Sequence, residues 1–278
     1  MIEPLKKDDT LLAEICATDP GRGFALWWLG QSGFLVKHAG GAFLLDPYLS
    51  DSLTKKYATT DKPHVRMTER AIDPARLDFL DWVSSSHNHT DHLDAETLLP
   101  LRAANPNLQM IIPEANRAFV ADRLQCEPAW PLGLDAGERC TLGDVEIHAV
   151  PAAHEQIDRD EAGRCHYLGY VVRCGGQAIY HSGDTVRYDG MAERLRPFAV
   201  DVALLPINGR LPERRVSGNL WGHEAAQLAK EIGAGLVVPC HYDMFEFNTE
   251  SPDEFVAECE RLEQPYRVLR CGEAVVSF

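Results

Sequence analysis

Apolar residues in this chain fall into short runs broken by glycine, proline and serine turns, and only a few stretches are long enough to wind into helices. Residues 24–29, 34–37 and 42–45 read as three strands joined by turns at 30–33 and 38–41, a β meander. Asp94 is placed to cap a helix through about residue 104. A strand over 108–112 and a helix over 114–124 follow. Beyond Cys140 the pattern returns to strands, at 145–150, 167–173 and 177–181, the last two joined by a turn at Gly175 and Gly176.

The C-terminal third alternates again. Residues 200–207 and 236–239 read as buried strands, and between them 222–232 collects Ala225, Ala226, Leu228 and Ala229 at helical spacing. A helix over 252–262, with proline in its first turn, precedes a closing hairpin over 266–278. Two β-rich halves with helices between and after them predict two sheets packed face to face and covered outside by helices. The whole of 1–278 is expected to form one domain, with 1–23 as an N-terminal extension. Residues 50–74 are polar and aperiodic, and a loop of that length is expected to face substrate.

Composition narrows the function classes. The 278 residues, 45% of them apolar, suffice for a large core, yet no run of about 18 uncharged apolar residues is present to span a membrane. The start of the chain lacks the apolar stretch of a secretory signal, so a soluble cytoplasmic protein is expected. Twenty-seven basic against forty-two acidic side chains give a formal charge of −15, which repels nucleic acid and anionic lipid. A small-molecule substrate is therefore expected, with neither nucleic acid nor membrane as partner. Eight cysteines stand without a C-x-x-C pair, which suggests neither a zinc ribbon nor a redox dithiol.

Chemistry concentrates in His87-Asn88-His89-Thr90-Asp91-His92, directly after an apolar run and three serines. Imidazole with carboxylate is a ligand set for a hydrolytic divalent ion, and the one-residue gap aims His87 and His89 the same way from extended chain. Asp91 and His92 point elsewhere and can begin a second site. Further ligands are expected where strands give way to loops, and His154, Asp184 and His241 stand at three such places. Five imidazoles and two carboxylates brought together without metal would face desolvation and poor hydrogen bonding, which two divalent ions would relieve.

This order of residues resembles the metallo-β-lactamase superfamily, with its H-x-H-x-D-H signature followed by a His, a bridging Asp and a final His. Within it, Trp28-Leu29-Gly30-Gln31-Ser32-Gly33-Phe34, Asp46-Pro47-Tyr48-Leu49-Ser50-Asp51, Leu205-Pro206-Ile207-Asn208-Gly209-Arg210 and Val238-Pro239-Cys240-His241-Tyr242-Asp243 are similar to the L-ascorbate-6-phosphate lactonase group. The resemblance implies an α/β fold, the four-layer αββα sandwich, with the metal site at one edge. It assigns His87, His89 and His154 to one ion, Asp91, His92 and His241 to the other, and Asp184 between them. It implies manganese or zinc, with iron also accepted by such donors, and assembly as a homo-oligomer.

The expected reaction is attack of an ion-bridging hydroxide on a lactone, a sugar or phosphorylated sugar lactone by resemblance, with Asp91 or Asp184 either handling the proton or serving as ligand alone. Asp46 is expected to steady a histidine ligand or to act as a turn residue, and His181 to be an outer partner or a strand histidine. Asn208, Arg210, Asn219 and Tyr242 are the candidate substrate contacts, Arg210 as a holder of phosphate. His64 carries no ligand spacing and is read as structural or exposed. Two alternatives stand beside the lactonase reading: a phosphodiesterase of phospholipase D type, and a non-catalytic metal-binding protein. A redox di-iron protein of this fold would carry Glu where His89 stands.

Overall fold

A computed structural model describes residues 1–276. In chain order the elements are α1 (Asp8–Ala17), β1 (Phe24–Trp28), β2 (Phe34–His38), β3 (Gly41–Leu45), α2 (Ser52–Tyr57), β4 (Trp82–Ser84), α3 (Ala95–Ala104) and β5 (Gln109–Pro113). Then follow α4 (Arg117–Leu124), β6 (Leu132–Leu134), β7 (Arg139–Leu142), β8 (Val145–Pro151), β9 (Leu168–Cys174) and β10 (Gln177–His181). The chain closes with α5 (Met191–Leu195), β11 (Val202–Pro206), α6 (Gly222–Ile232), β12 (Leu236–Cys240), α7 (Asp253–Leu262) and β13 (Ala274–Val276).

The strands form two mixed sheets, one in the order β13-β1-β2-β3-β4-β5-β6 and one in the order β12-β11-β10-β9-β8-β7. Side-chain alternation along β1 shows how they stack. Phe24, Leu26 and Trp28 enter the core shared with the second sheet, whereas Ala25 and Trp27 join Leu11 and Ile15 of α1 and Leu98 and Leu101 of α3 on the outer face. On the far side, Ala225, Leu228 and Ala229 of α6 and Phe255 and Cys259 of α7 cover the second sheet. Every residue of β1 is buried because both faces of its sheet are covered. The result is the predicted αββα sandwich, held mainly by burial at roughly 1.5–3 kcal/mol per large apolar side chain.

Two expectations gain detail and one needs correction. Residues 1–23 are packed into the fold: α1 buries Leu11 and Ile15, and Ile2 bridges Thr68. The stretch 50–74 contains the helix α2, and the bridge of Arg66 to Phe245 ties it to a later loop. The closing hairpin does not form among the described residues, and its last two positions, 277 and 278, lie outside them. Tyr266 bridges Val237 on the second sheet, whereas β13 pairs with β1 of the first, so this segment crosses between sheets. A tight turn at Gly272 makes the crossing, with Gly272 N–H donating to the Trp28 carbonyl at 2.7 Å.

Candidate metal centre

The chemistry-bearing residues sit just past the C-terminal ends of their strands: Asp46 after β3, His87 after β4, His154 after β8, Asp184 after β10 and His241 after β12. The parallel pairings β3 with β4, β10 with β11 and β11 with β12 bring these ends to one rim, where α/β sheets place ligands. A turn in which the N–H groups of His92 and Leu93 donate to the His89 carbonyl, at 3.1 and 2.8 Å, carries Asp91 and separates the two halves of the histidine run.

Ring and carboxylate atoms converge there in two clusters. Ligand atoms of His87, His89 and His154 lie within 4.8 Å of one another, as do those of Asp91, His92 and His241. Asp184 stands between them. Its Oδ2 is 3.6 Å from His154 Nε2 and 3.4 Å from His241 Nε2, and its Oδ1 is 3.3 Å from His92 Nε2. Asp91 Oδ2 is 3.6 Å from the Nε2 atoms of both His92 and His241.

Buried atoms without hydrogen-bond partners test whether these residues suit cations. Nε2 of His87 is such an atom, and Nε2 of His92 and Oδ1 of Asp184, 3.3 Å apart, face each other without hydrogen-bond geometry; a divalent ion would supply what each lacks. The donor set therefore fits metal.

Protonation supports the same reading. Burial lowers His87 well below the usual histidine value, takes His89 to about 4 and lowers His154, so these rings are neutral and present lone pairs. At His92 and His241 burial also opposes charge, but Asp184 and Asp91 outweigh it, raising His92 well above its ordinary value and His241 to about 9. The two aspartates are held below their usual range despite burial, chiefly by His92. Protons on two rings thus balance the carboxylates when no ion does.

Outer contacts fix the rings. His92 Nδ1 is 2.7 Å from Asp46 Oδ2, and His154 Nδ1 is 2.8 Å from the Gly218 carbonyl. Asp46, which also lies within ligand reach of His87 and His92, has its oxygens filled by Ser84 Oγ, Ser86 N–H and Ser86 Oγ, so it is placed to orient His92 rather than to hold an ion itself. His181 hydrogen-bonds the Ser32 carbonyl at 2.9 Å and accepts from Gly183 N–H at 3.3 Å, and so shapes the turn before Asp184.

Gln31 and His64 are the residues that sequence reasoning missed. Gln31 Nε2 lies 2.6 Å from Asp91 Oδ2 and 2.9 Å from His241 Nε2. The signal was its place in the turn after β1, at the same rim. His64 lines the cavity of about 450 Å³ that opens above His89, Asp91, His154, Asp184 and His241.

None of the four candidate substrate contacts lines that cavity. Arg210 is taken by Glu224 through two 2.6 Å bonds and by the Asn219 carbonyl. Tyr242 is buried, stacks on Trp28 at 4.5 Å and donates to the Leu269 carbonyl. Asn219 donates to Asn208, which donates to Asn248, each at 3.0 Å, so the asparagines brace the wall from behind and only Asn248 reaches the cavity.

Comparison with known proteins agrees with this geometry. The Beta-lactamase superfamily domain matches residues 42–242. A UPF0173 metal-dependent hydrolase of Methanoculleus marisnigri is 33% identical over 187 residues, 65% of this chain and 74% of the relative. Another, of Myxococcus xanthus, is 27% identical over 263 residues, 91% of this chain and 82% of the relative. Among solved structures, a metallo hydrolase of the archaeon Ignicoccus hospitalis superposes with a TM-score of 0.66 at 24% identity, over 91% of this chain and 97% of that one, and shares the fold. No helix among the described residues is long and apolar enough to cross a membrane. The chain belongs to the metallo-β-lactamase superfamily and, within it, to the UPF0173 metal-dependent hydrolases.

Proposed function

We propose that this metal-dependent hydrolase opens a lactone or similar cyclic ester at the rim of its sandwich. The observation that carries the reading is the position of Asp184, whose two carboxylate oxygens face Nε2 atoms from both histidine clusters at 3.3–3.6 Å. Two divalent ions, manganese or zinc, would supply Lewis acidity in such a site and would bring the pKa of coordinated water toward about 7. His87, His89 and His154 would hold one ion, Asp91, His92 and His241 the other, and Asp184 both.

The chain's own groups then orient and exclude. Gln31 fixes one oxygen of Asp91, whose side chain is 16% exposed against 4% for Asp184, so of the two carboxylates lining the cavity it is the one that meets solvent and can carry a proton away from attacking water. Asp184, more deeply buried, serves as ligand. Thr90 and Ser217 line the cavity, but among the described residues neither hydroxyl is hydrogen-bonded to a histidine or carboxylate as an activated nucleophile would be, and Cys240 is buried with its thiol pushed well up by burial, which suits packing. Water is then the attacking group.

An unphosphorylated ester is favoured, because Arg210, the residue read as a phosphate holder, is committed to Glu224. Protein loaded with manganese or zinc should hold two ions per chain by elemental analysis and should turn over simple lactones in preference to phosphodiesters. His89→Ala and Asp184→Ala should each lower turnover at least about a hundredfold. Unchanged turnover in both variants would overturn the hydrolytic centre, and turnover of phosphodiesters alone would replace the lactone.

A further inference from the structure

The cavity above the metal donors is built unevenly. Asn88, Thr90, Ser217 and Asn248 supply polar lining, but one wall is a set of rings from two separate segments: Tyr57, the last residue of α2, and His64 from the segment after β3, Phe245 and Phe247 from the segment after β12. His64 is at the centre of this wall. Its ring lies 4.1 Å from Tyr57 at an interplanar angle of 15°, 4.4 Å from Phe247 at 58° and 5.3 Å from Phe245 at 70°. Its Nδ1 is 3.2 Å from the Lys62 carbonyl, an acceptor only, so that nitrogen carries the proton and the ring is held in place.

These rings stand apart from the two large cores. They rest on a small apolar cluster of Tyr48, Leu53, Met244 and Phe245, with Tyr57 and Phe247 packed against it and still partly open to the cavity. Burial lowers the pKa of His64, so at neutral pH it presents an uncharged aromatic face. Of the three cations on the cavity rim, Arg215 pairs with Asp61 at 2.9 Å, Arg123 donates to the carbonyls of Asn88 and Leu93, and Lys56 lies over the Tyr57 ring with its Nζ 5.1 Å from the centroid. A stacked, neutral wall beside a polar reaction centre selects a flat apolar group over a polyol or a phosphate.

We infer that the substrate carries an aromatic group beside its scissile carbonyl, stacked on the wall of Tyr57, His64 and Phe247 while the carbonyl faces Asp91 and Asp184. The inference rests on the hydrolase reading and names its substrate class. Tyr57, His64 and Phe247 are specificity-determining residues in this account, and none of them is a metal donor.

Binding of product-like carboxylates to the metal-loaded protein tests it without turnover. Calorimetry should give phenylacetate an affinity at least about tenfold above gluconate or 6-phosphogluconate, the equivalent of ~1.4 kcal/mol, the scale of stacking plus ring burial. Phe247→Ala and His64→Ala should each remove most of this preference with metal content unchanged. His64→Phe, which keeps a flat ring, should retain it. Equal or tighter binding of gluconate or its phosphate, or a preference that survives both alanine variants, would overturn the inference. In parallel, aryl-substituted and hydroxylated lactones are compared by kcat/KM. A binding preference for phenylacetate without turnover of any lactone would sink the lactone reading and leave the aromatic wall standing.

Discussion

Asp46 and His92 are locked together at the base of the metal centre: Asp46 Oδ2 lies 2.7 Å from His92 Nδ1, and both side chains are fully buried. The contact fixes which nitrogen of His92 faces Asp91 and Asp184. Burial pushes the Asp46 carboxyl up, but the bond to His92 and the nearby His181 and Ser86 more than offset it, so Asp46 is ionised. Asp46→Asn keeps the shape and removes the charge. It should weaken metal affinity by about 10–100-fold, read by competition with a chromophoric chelator. Asp46→Ala additionally strands the hydrogen bonds of Ser84 and Ser86 and should cost about 2–4 kcal/mol in urea unfolding.

Metal-free protein should lose stability as pH rises. His92 and His241 have folded values above their unfolded value, His241 reaching about 9, so their contribution is fully present below about pH 6.5 and fades as pH climbs through the folded values. Unfolding free energy of the chelated protein should fall between about pH 6.5 and 9, by up to about 1.4 kcal/mol per pH unit for each group. Saturating metal should abolish that slope, because ligand nitrogens must be unprotonated, and its binding should release protons into a weak buffer. A flat profile in the chelated protein would contradict the coupling of His92 and His241 to the aspartates.

Gly183 allows the approach of Asp184 to the histidine run. It has φ of +59°, and a Cβ built there would lie 2.5 Å from Ser86 Cβ, the residue that anchors Asp46. Gly183→Ala should therefore destabilise the protein by about 1–3 kcal/mol and displace Asp184, with loss of bound metal seen by elemental analysis. Gly176, equally at positive φ but with open space around its Cβ position, is the control, and Gly176→Ala should leave metal content intact.

The candidate metal donors were legible as a group because their chemistry is contiguous or sits where a buried strand ends, and because a run such as His87 to His92 has no folding purpose. Two sheets were legible from strand lengths and turns. What escaped notice depends on contacts between distant segments. His64 acquires its place from Tyr57, Phe245 and Phe247, which no spacing links, and Gln31 meets Asp91 and His241 only once both sheets are stacked. Helix α1 was hidden because Leu11 and Ile15 are its only fully buried anchors, too few for a visible periodicity. Arg210 misled because sequence shows a cation near the strand end, whereas the capping position of Glu224 at the start of α6 claims it.

Two arginines close together in sequence should respond oppositely to mutation. Arg214 is buried and donates to the carbonyls of Asn208 and Thr249 and to Glu250, which ties the loop carrying Gly218 to the loop carrying Asn248. Since the Gly218 carbonyl holds His154 Nδ1, slack in this loop reaches the metal centre. Arg214→Met should cost about 2–4 kcal/mol in urea unfolding, since it leaves buried acceptors unpaired, and should weaken metal retention during dialysis. Arg210 is two-fifths exposed, and its partner Glu224 lies outside the cavity. Arg210→Met should therefore change stability by only about 0–1 kcal/mol and leave KM within about threefold of the parent. A large rise in KM for Arg210→Met with no loss of stability would return this residue to the substrate site, and equal behaviour of the two variants would show that Arg214 does not brace His154.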